Sequence, residues 1–328
     1  MEQLEQAFAG SFSVGRTDND TAAPHPRLSL FKQRGDKASQ EQRRLNKLES
    51  QKKDRLDYVN KVRCLAEEDW TNYEEKEEDE EEMDSGTSKL DVQHKKRRPR
   101  YYRNQLMLSE WLVDVPTNLA TDWLMVLCPV GKRNLVVAAK GQTSSYSKSG
   151  YRLSVFPSML PGGCRKHKHN NKDYSLLDCV FHEASRTFYI LDIMCWRGHP
   201  VYDSDTEFRF YWLQTKVSEE PELAVQQSTN PYRFLPLPSY PCDSSAIQDT
   251  MAKPVPFEAE LDGLLFYHKE THYTPGSTPL VGWLKPWMLP DMLGVLVPDT
   301  IMASRPPGAD MKPPDPSMES AITAMADA

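Results

Sequence analysis

The charge of this chain reverses sign within a few residues, which splits it before any element is assigned. From Arg27 to Arg63 twelve bases face five acids, whereas Glu67–Asp84 holds twelve acids against Lys76 alone. A block of like charges repels itself and stays extended. The chain therefore reads as a basic arm over 1–66, an acidic disordered linker over 67–94, a folded domain over 95–300 and a disordered tail over 301–328. A second basic run, Lys95-Lys96-Arg97-Arg98 with Arg100 and Arg103, leads into the domain. The net charge of −7 would argue against an RNA partner if it were evenly spread, and the segregation removes that objection.

Within the arm, Ser39 followed by Gln42 fits a capping box, and no Gly or Pro interrupts the chain from there to Ala66. Leu45, Leu48, Leu56, Val59, Val62 and Ala66 recur at roughly helical spacing, which predicts a helix over about 40–66. The stripe is narrow and the rest is polar. Such a helix has little apolar area with which to dock on its own protein, so it reads as one awaiting a partner.

From Tyr101 to Val297 apolar and aromatic residues become dense. Asn104–Leu112 reads as a short amphipathic helix. Trp123–Pro129 and Leu135–Ala139 flank Val130-Gly131-Lys132-Arg133-Asn134 and fit a β-hairpin. Ser175–Phe181, Thr187–Cys195, Glu207–Gln214 and Gly263–His268 are further strand candidates. The expected class is α+β with antiparallel sheets. No run of about 18 apolar residues occurs, so no spanning helix is expected, and the first residues lack a secretory pattern. The six cysteines form no CxxC pair, so reduced thiols in cytosol or nucleus are expected.

Catalytic motifs are missing. His268 and His272 stand four apart, but Glu270 is out of place for a zincin. Cys164, His167 and His169 lie in a Gly- and Asn-rich stretch that reads as a solvated loop, so no metal and no cofactor are expected. No GxSxG or P-loop occurs. What stands out is aromatic residues beside cations and turns: Trp111 after Ser109, Lys148-Ser149-Gly150-Tyr151, Trp196-Arg197-Gly198-His199 and Gly282-Trp283-Leu284-Lys285-Pro286-Trp287. Bases stack on π-faces and cations hold phosphates. Trp123, Trp196 and Trp212 read as core, whereas Trp283 has a loop-like setting that could leave one indole face free.

Several strings carry a resemblance: Ala22-Ala23-Pro24-His25-Pro26-Arg27-Leu28, Arg55-Leu56-Asp57-Tyr58-Val59-Asn60, Asn104-Gln105-Leu106-Met107-Leu108-Ser109-Glu110-Trp111-Leu112, Met194-Cys195-Trp196-Arg197-Gly198-His199-Pro200 and Asp262-Gly263-Leu264-Leu265-Phe266. The chain resembles the snurportin family, import adaptors for spliceosomal small nuclear ribonucleoproteins bearing a trimethylguanosine cap. The resemblance implies that the chain shuttles between cytoplasm and nucleus. It also implies a domain like the nucleotidyltransferase domain of messenger-RNA capping enzymes. Their KxDG nucleophile segment has as its nearest string here Lys148-Ser149-Gly150-Tyr151, which lacks the Asp. Their KWKP segment is here Gly282-Trp283-Leu284-Lys285-Pro286. Covalent transfer needs an activated Lys, so these departures weigh against an enzyme.

The resemblance further implies that Trp283 stacks on the cap guanine and Trp111 covers its N2 methyls. Ser109 and backbone groups around Cys128 would read the base edge, and Lys132, Arg133 and Lys148 would hold the triphosphate bridge. It assigns an importin-β site to Arg27, Leu28, Lys32, Arg43, Arg44, Lys47, Lys52, Lys53, Arg55, Lys61 and Arg63. Met1, Leu4, Phe8, Phe12 and Val14 are spaced like anchors for an exportin. From the residues alone the arm is also a solvated basic helix or an RNA-binding segment. A capping-type nucleotidyltransferase and a general RNA-binding protein remain the alternatives for the whole chain.

Overall fold

A computed structural model describes residues 39–53, 58–67, 102–164 and 173–305. In chain order the elements are helices α1 (Gln40–Lys53) and α2 (Tyr58–Glu67), strand β1 (Met107–Trp111), helix α3 (Leu119–Asp122), and strands β2 (Trp123–Pro129), β3 (Lys132–Ala139), β4 (Gln142–Ser147), β5 (Arg152–Phe156), β6 (Ser175–His182), β7 (Thr187–Trp196) and β8 (His199–Pro200). Helix α4 (Thr206–Ser218), strands β9 (Arg233–Pro236) and β10 (Ser239–Pro241), helix α5 (Ser244–Ala252), strands β11 (Leu261–His268) and β12 (Gly276–Leu284), helices α6 (Leu289–Leu293) and α7 (Asp299–Met302), and single 3-10 turns at Pro221–Ala224 and Pro286–Met288 complete the described chain.

Two mixed sheets, antiparallel in most of their pairings, form the body, so the class is α+β as expected. One runs β1-β12-β11-β2-β10 and the other β5-β4-β3-β6-β7-β8, with β9 alongside β7. Alternation along the strands decides which side each residue buries. Val126, Leu265, Tyr267 and Val281 of the first sheet meet Leu135, Val137, Leu176 and Val180 of the second. The outer face of the larger sheet is covered by Leu213 and Val217 of α4, and that of the smaller by Ile247 and Met251 of α5.

Four expectations fail for identifiable reasons. Asn104–Leu112 does not form a helix: its central residues make edge strand β1, pairing in parallel with β12. Tertiary pairing overrides the local pattern. The aromatic run Glu207–Gln214 is helical rather than extended. Asp205 caps α4 by accepting the Phe208 N–H at 2.7 Å, and Phe210, Leu213 and Val217 form its buried stripe. β2 and β3 are no hairpin, because they belong to different sheets. The chain crosses between them at Gly131, where a Cβ would lie 2.5 Å from the Phe181 carbonyl oxygen.

The fourth failure concerns the arm. The helix is present, although residues 54–57 lie outside the described ones, but it docks on the domain it precedes. Its buried face is polar rather than apolar: Gln40, Arg44 and Gln51 are all under one-tenth exposed, while Leu45 is 54% exposed. Gln40 Nε2 donates to the Trp111 carbonyl at 2.8 Å, and Gln40 Oε1 accepts from the Asp114 N–H at 3.0 Å. Arg44 donates to the carbonyls of Asp114 (2.6 Å) and Pro279 (3.3 Å), and Gln51 to that of Glu270 (2.6 Å). These groups satisfy loop and edge-strand backbone, so docking needs little apolar area. In α2, Val62 and Leu65 enter the core between the sheets. Among the described residues no helix is long and apolar enough to cross a membrane.

Candidate functional site

The site is built where β1, β12 and β11 run side by side. Trp283 lies near the end of β12, a strand rather than the loop expected for it, and is half-buried. Its Cα partners are Leu265 on β11 and Trp111 on β1. The indole rests on Gly263, where an added Cβ would lie 2.2 Å from Cζ2 and 2.4 Å from Cη2. Only glycine leaves that ring its place. The Leu112 N–H donates to the Trp283 carbonyl at 3.1 Å, extending the junction by one residue.

Trp111 is also half-buried. Trp283 rests on the core between the sheets, whereas Trp111 packs against the outer cluster of the smaller sheet. Ser109, half-buried, pairs with Thr278, and between Ser109 and Glu110 the register jumps, so that Glu110 meets Gly282. Cys128 is opposite Gly263 and buried. Burial pushes its thiol up to about 12, so it stays protonated and uncharged.

The three candidate phosphate cations differ. Lys132 opens β3, is exposed, and lies 3.8 Å from an equally exposed Glu183, an ion pair of little strength. Lys148 is exposed in the turn after β4, with its carbonyl accepting the Asn104 N–H just before β1. Arg133 is engaged within the protein: Nε and Nη2 donate to Asp178 at 2.5 and 2.8 Å, and Nη2 also reaches the Met107 carbonyl at 3.2 Å. Burial alone would lower the Arg133 pKa, but the Asp178 carboxylate outweighs it and holds the guanidinium charged. That edge of Arg133 is not free for a phosphate, because a fully buried carboxylate holds it.

Two residues at the site were given no role in the sequence reading. Lys285 Nζ stands 5.6 Å from the Trp283 ring centroid and pairs with Asp262 at 2.6 Å. The signal was present in the spacing, since Lys285 follows Trp283 by two and Asp262 precedes Gly263 by one. Tyr273 had no local signal, and its role emerges only from contacts described below.

Of the arm, Arg43 pairs with Glu110 at 2.7 Å and Lys52 with Glu270 at 3.4 Å. Lys47 is half-buried on α1, Lys53 ends that helix, and Lys61 and Arg63 lie on α2. Arg27, Leu28, Lys32 and Arg55 lie outside the described residues, as do Met1, Leu4, Phe8, Phe12, Val14, His167, His169, most of the acidic linker and the tail from 306.

Comparison with known families places residues 105–286, more than half of the chain, on the model described as Snurportin1, m3G cap-binding domain, and residues 25–64 on the model described as Snurportin1. Among solved structures, the ligase domain of M. tuberculosis LigD is 14% identical, with a TM-score of 0.39 over 54% of this chain and 58% of that one. A mycobacterial DNA ligase D complexed with ATP and MES is 13% identical, with a TM-score of 0.39 over 55% and 60%. The chain thus spans about three fifths of the length of those two ligase chains.

Proposed function

The chain belongs to the snurportin family, and on that premise we propose that it is a nuclear-import adaptor. Its folded domain binds the 2,2,7-trimethylguanosine cap of small nuclear RNA and its ribonucleoprotein. Its basic arm engages importin-β, and an exportin returns it through the apolar anchors at Met1–Val14, so that it shuttles between cytoplasm and nucleus.

The observation that carries the reading is the half-buried Trp283 ring seated on Gly263. A methyl on N7 makes the cap guanine cationic, so stacking on an indole combines dispersion with cation–π attraction. Lys285, a cation at that ring, is balanced by Asp262 and does not confront the base with a bare ammonium. The two N2 methyls replace N–H donors. A wall made by Trp111 therefore favours the trimethyl cap over the monomethyl one, which would bring unpaired donors into an apolar surface. Ser109 and the backbone at Cys128 read the base edge. Exposed Lys132 and Lys148 hold the triphosphate, with affinity that falls as salt rises. Arg133 contributes what its pairing with Asp178 leaves.

Titration with cap analogues tests the proposal. Trp283→Ala is expected to lose several tens-fold in trimethyl-cap affinity, roughly the worth of a stacked base. Wild type that binds uncapped and monomethyl-capped RNA equally well would make this a general RNA-binding protein. A covalent lysine–nucleotide adduct formed with labelled nucleotide and magnesium would make it a nucleotidyltransferase.

A further inference from the structure

We propose that Tyr273 and Asp178 are positioning residues that hold strand β1, and with it Ser109 and Trp111, in place beside β12, the strand that carries Trp283. The inference rests on the cap-binding reading above. Tyr273, in the connection between β11 and β12, is fully buried. Its hydroxyl accepts the Met107 N–H at 3.0 Å and donates to Asp178 Oδ2 at 2.7 Å. Burial holds that hydroxyl protonated, as donation requires. On the other side of the same carboxylate, Arg133 makes its two contacts and passes Nη2 on to the Met107 carbonyl. Both backbone polar groups of one residue are therefore tied to the larger sheet through Asp178, whose side chain is fully buried.

Met107 is the first residue of an edge strand whose pairing is broken in the middle. Residues 107–109 pair with 276–278, and 110–111 with 282–283, so three residues of β12 are passed over. The ladder is therefore interrupted between the two halves of β1. The clamp supplies a fixed point two residues before Ser109 and four before Trp111. Buried ion pairs add little net stability over apolar packing, and what this one contributes is geometric definition.

The test is Tyr273→Phe in the full chain, with trimethyl and monomethyl cap analogues titrated in parallel. Removing the hydroxyl leaves the Met107 N–H without its acceptor and loosens β1, but leaves Trp283 on Gly263. We expect the trimethyl-to-monomethyl preference to fall by about tenfold, while monomethyl affinity, which depends on stacking, changes by less than about threefold. Backbone amide exchange at 107–111 should accelerate in the same variant. Equal losses for both analogues, or no change in either, would overturn the proposal and leave the network a matter of stability. Should the variant not fold, Arg133→Lys reads the same ratio. It keeps a charge opposite Asp178 and gives up the contact to Met107, while any phosphate contribution of Arg133 cancels between the analogues. An unchanged ratio there overturns the proposal too. Failure of the underlying reading is distinct, because wild type would then show no preference at all.

Discussion

Gly263 lies beneath Trp283 so closely that a single added methyl would come within 2.2 Å of the indole. The ring position thus depends on a residue that offers no side chain of its own. Gly263→Ala should push the indole out of its seat and reduce trimethyl-cap affinity by about tenfold or more, within the range expected for losing a stacked base. Fluorescence titration measures it. An affinity equal to wild type would mean that the ring does not receive the base.

The docked arm predicts its own release. Arg44 is 3% exposed and donates to two carbonyls, at Asp114 and Pro279. Arg44→Ala removes these bonds and should weaken docking of α1 by about 1–3 kcal/mol. Hydrogen exchange at 40–53 should rise correspondingly, with β6 and β7 unaffected. If importin-β takes up the arm, Gln51→Ala, which loses the docking bond to the Glu270 carbonyl and spares the arm's cations, should bind it more tightly, since less must be detached.

Acid should loosen the region around His268. Burial lowers the pKa of His268, and the Glu270 N–H donates to its Nδ1 at 3.2 Å, so the folded state holds the neutral ring. A folded pKa below the unfolded one, about 6.5, means stability fully present above that pH and lost as pH falls through it toward the folded value. His272 shifts the same way, again through burial. The melting temperature should therefore drop as pH falls below about 6.5. His268→Asn, which keeps an acceptor near Nδ1, should flatten part of that slope. An identical slope would place the titration elsewhere.

Thiol labelling should divide the cysteines. Burial raises the pKa of Cys128 and Cys242 to about 12 and moves Cys179 and Cys195 up as well, whereas Cys64 and Cys164 are half-buried. Only thiolates alkylate readily. At pH 8 and in the native state, mass spectrometry should find iodoacetamide on Cys64 and Cys164 but not on Cys128 until the protein is unfolded. Rapid labelling of Cys128 would mean that β2 is open to solvent beside Gly263.

Much of the body was legible locally. The apolar runs that became β2, β6, β7 and β11 are rich in branched and aromatic residues, and their burial pattern follows from that composition. Aromatic density misled the reading at α4, where Asp205 and Arg209 are the deciding residues. Asp205 caps the helix, and Arg209 pairs with Asp192 at 2.9 Å with both side chains fully buried. Nothing within five residues of Arg209 announces that partner.

Sequence alone determined the segregation of charge and the strands built on apolar runs, because each depends on neighbours in the chain. Tertiary structure alone decided that a polar helix docks through Gln40, Arg44 and Gln51. It also decided that Arg133 spends its charge on Asp178 and that Tyr273 ties to that same carboxylate across 95 positions. Hydrogen bonds of this kind need donor and acceptor brought together and dried by the fold, and that is a property of the packed chain, not of any window along it.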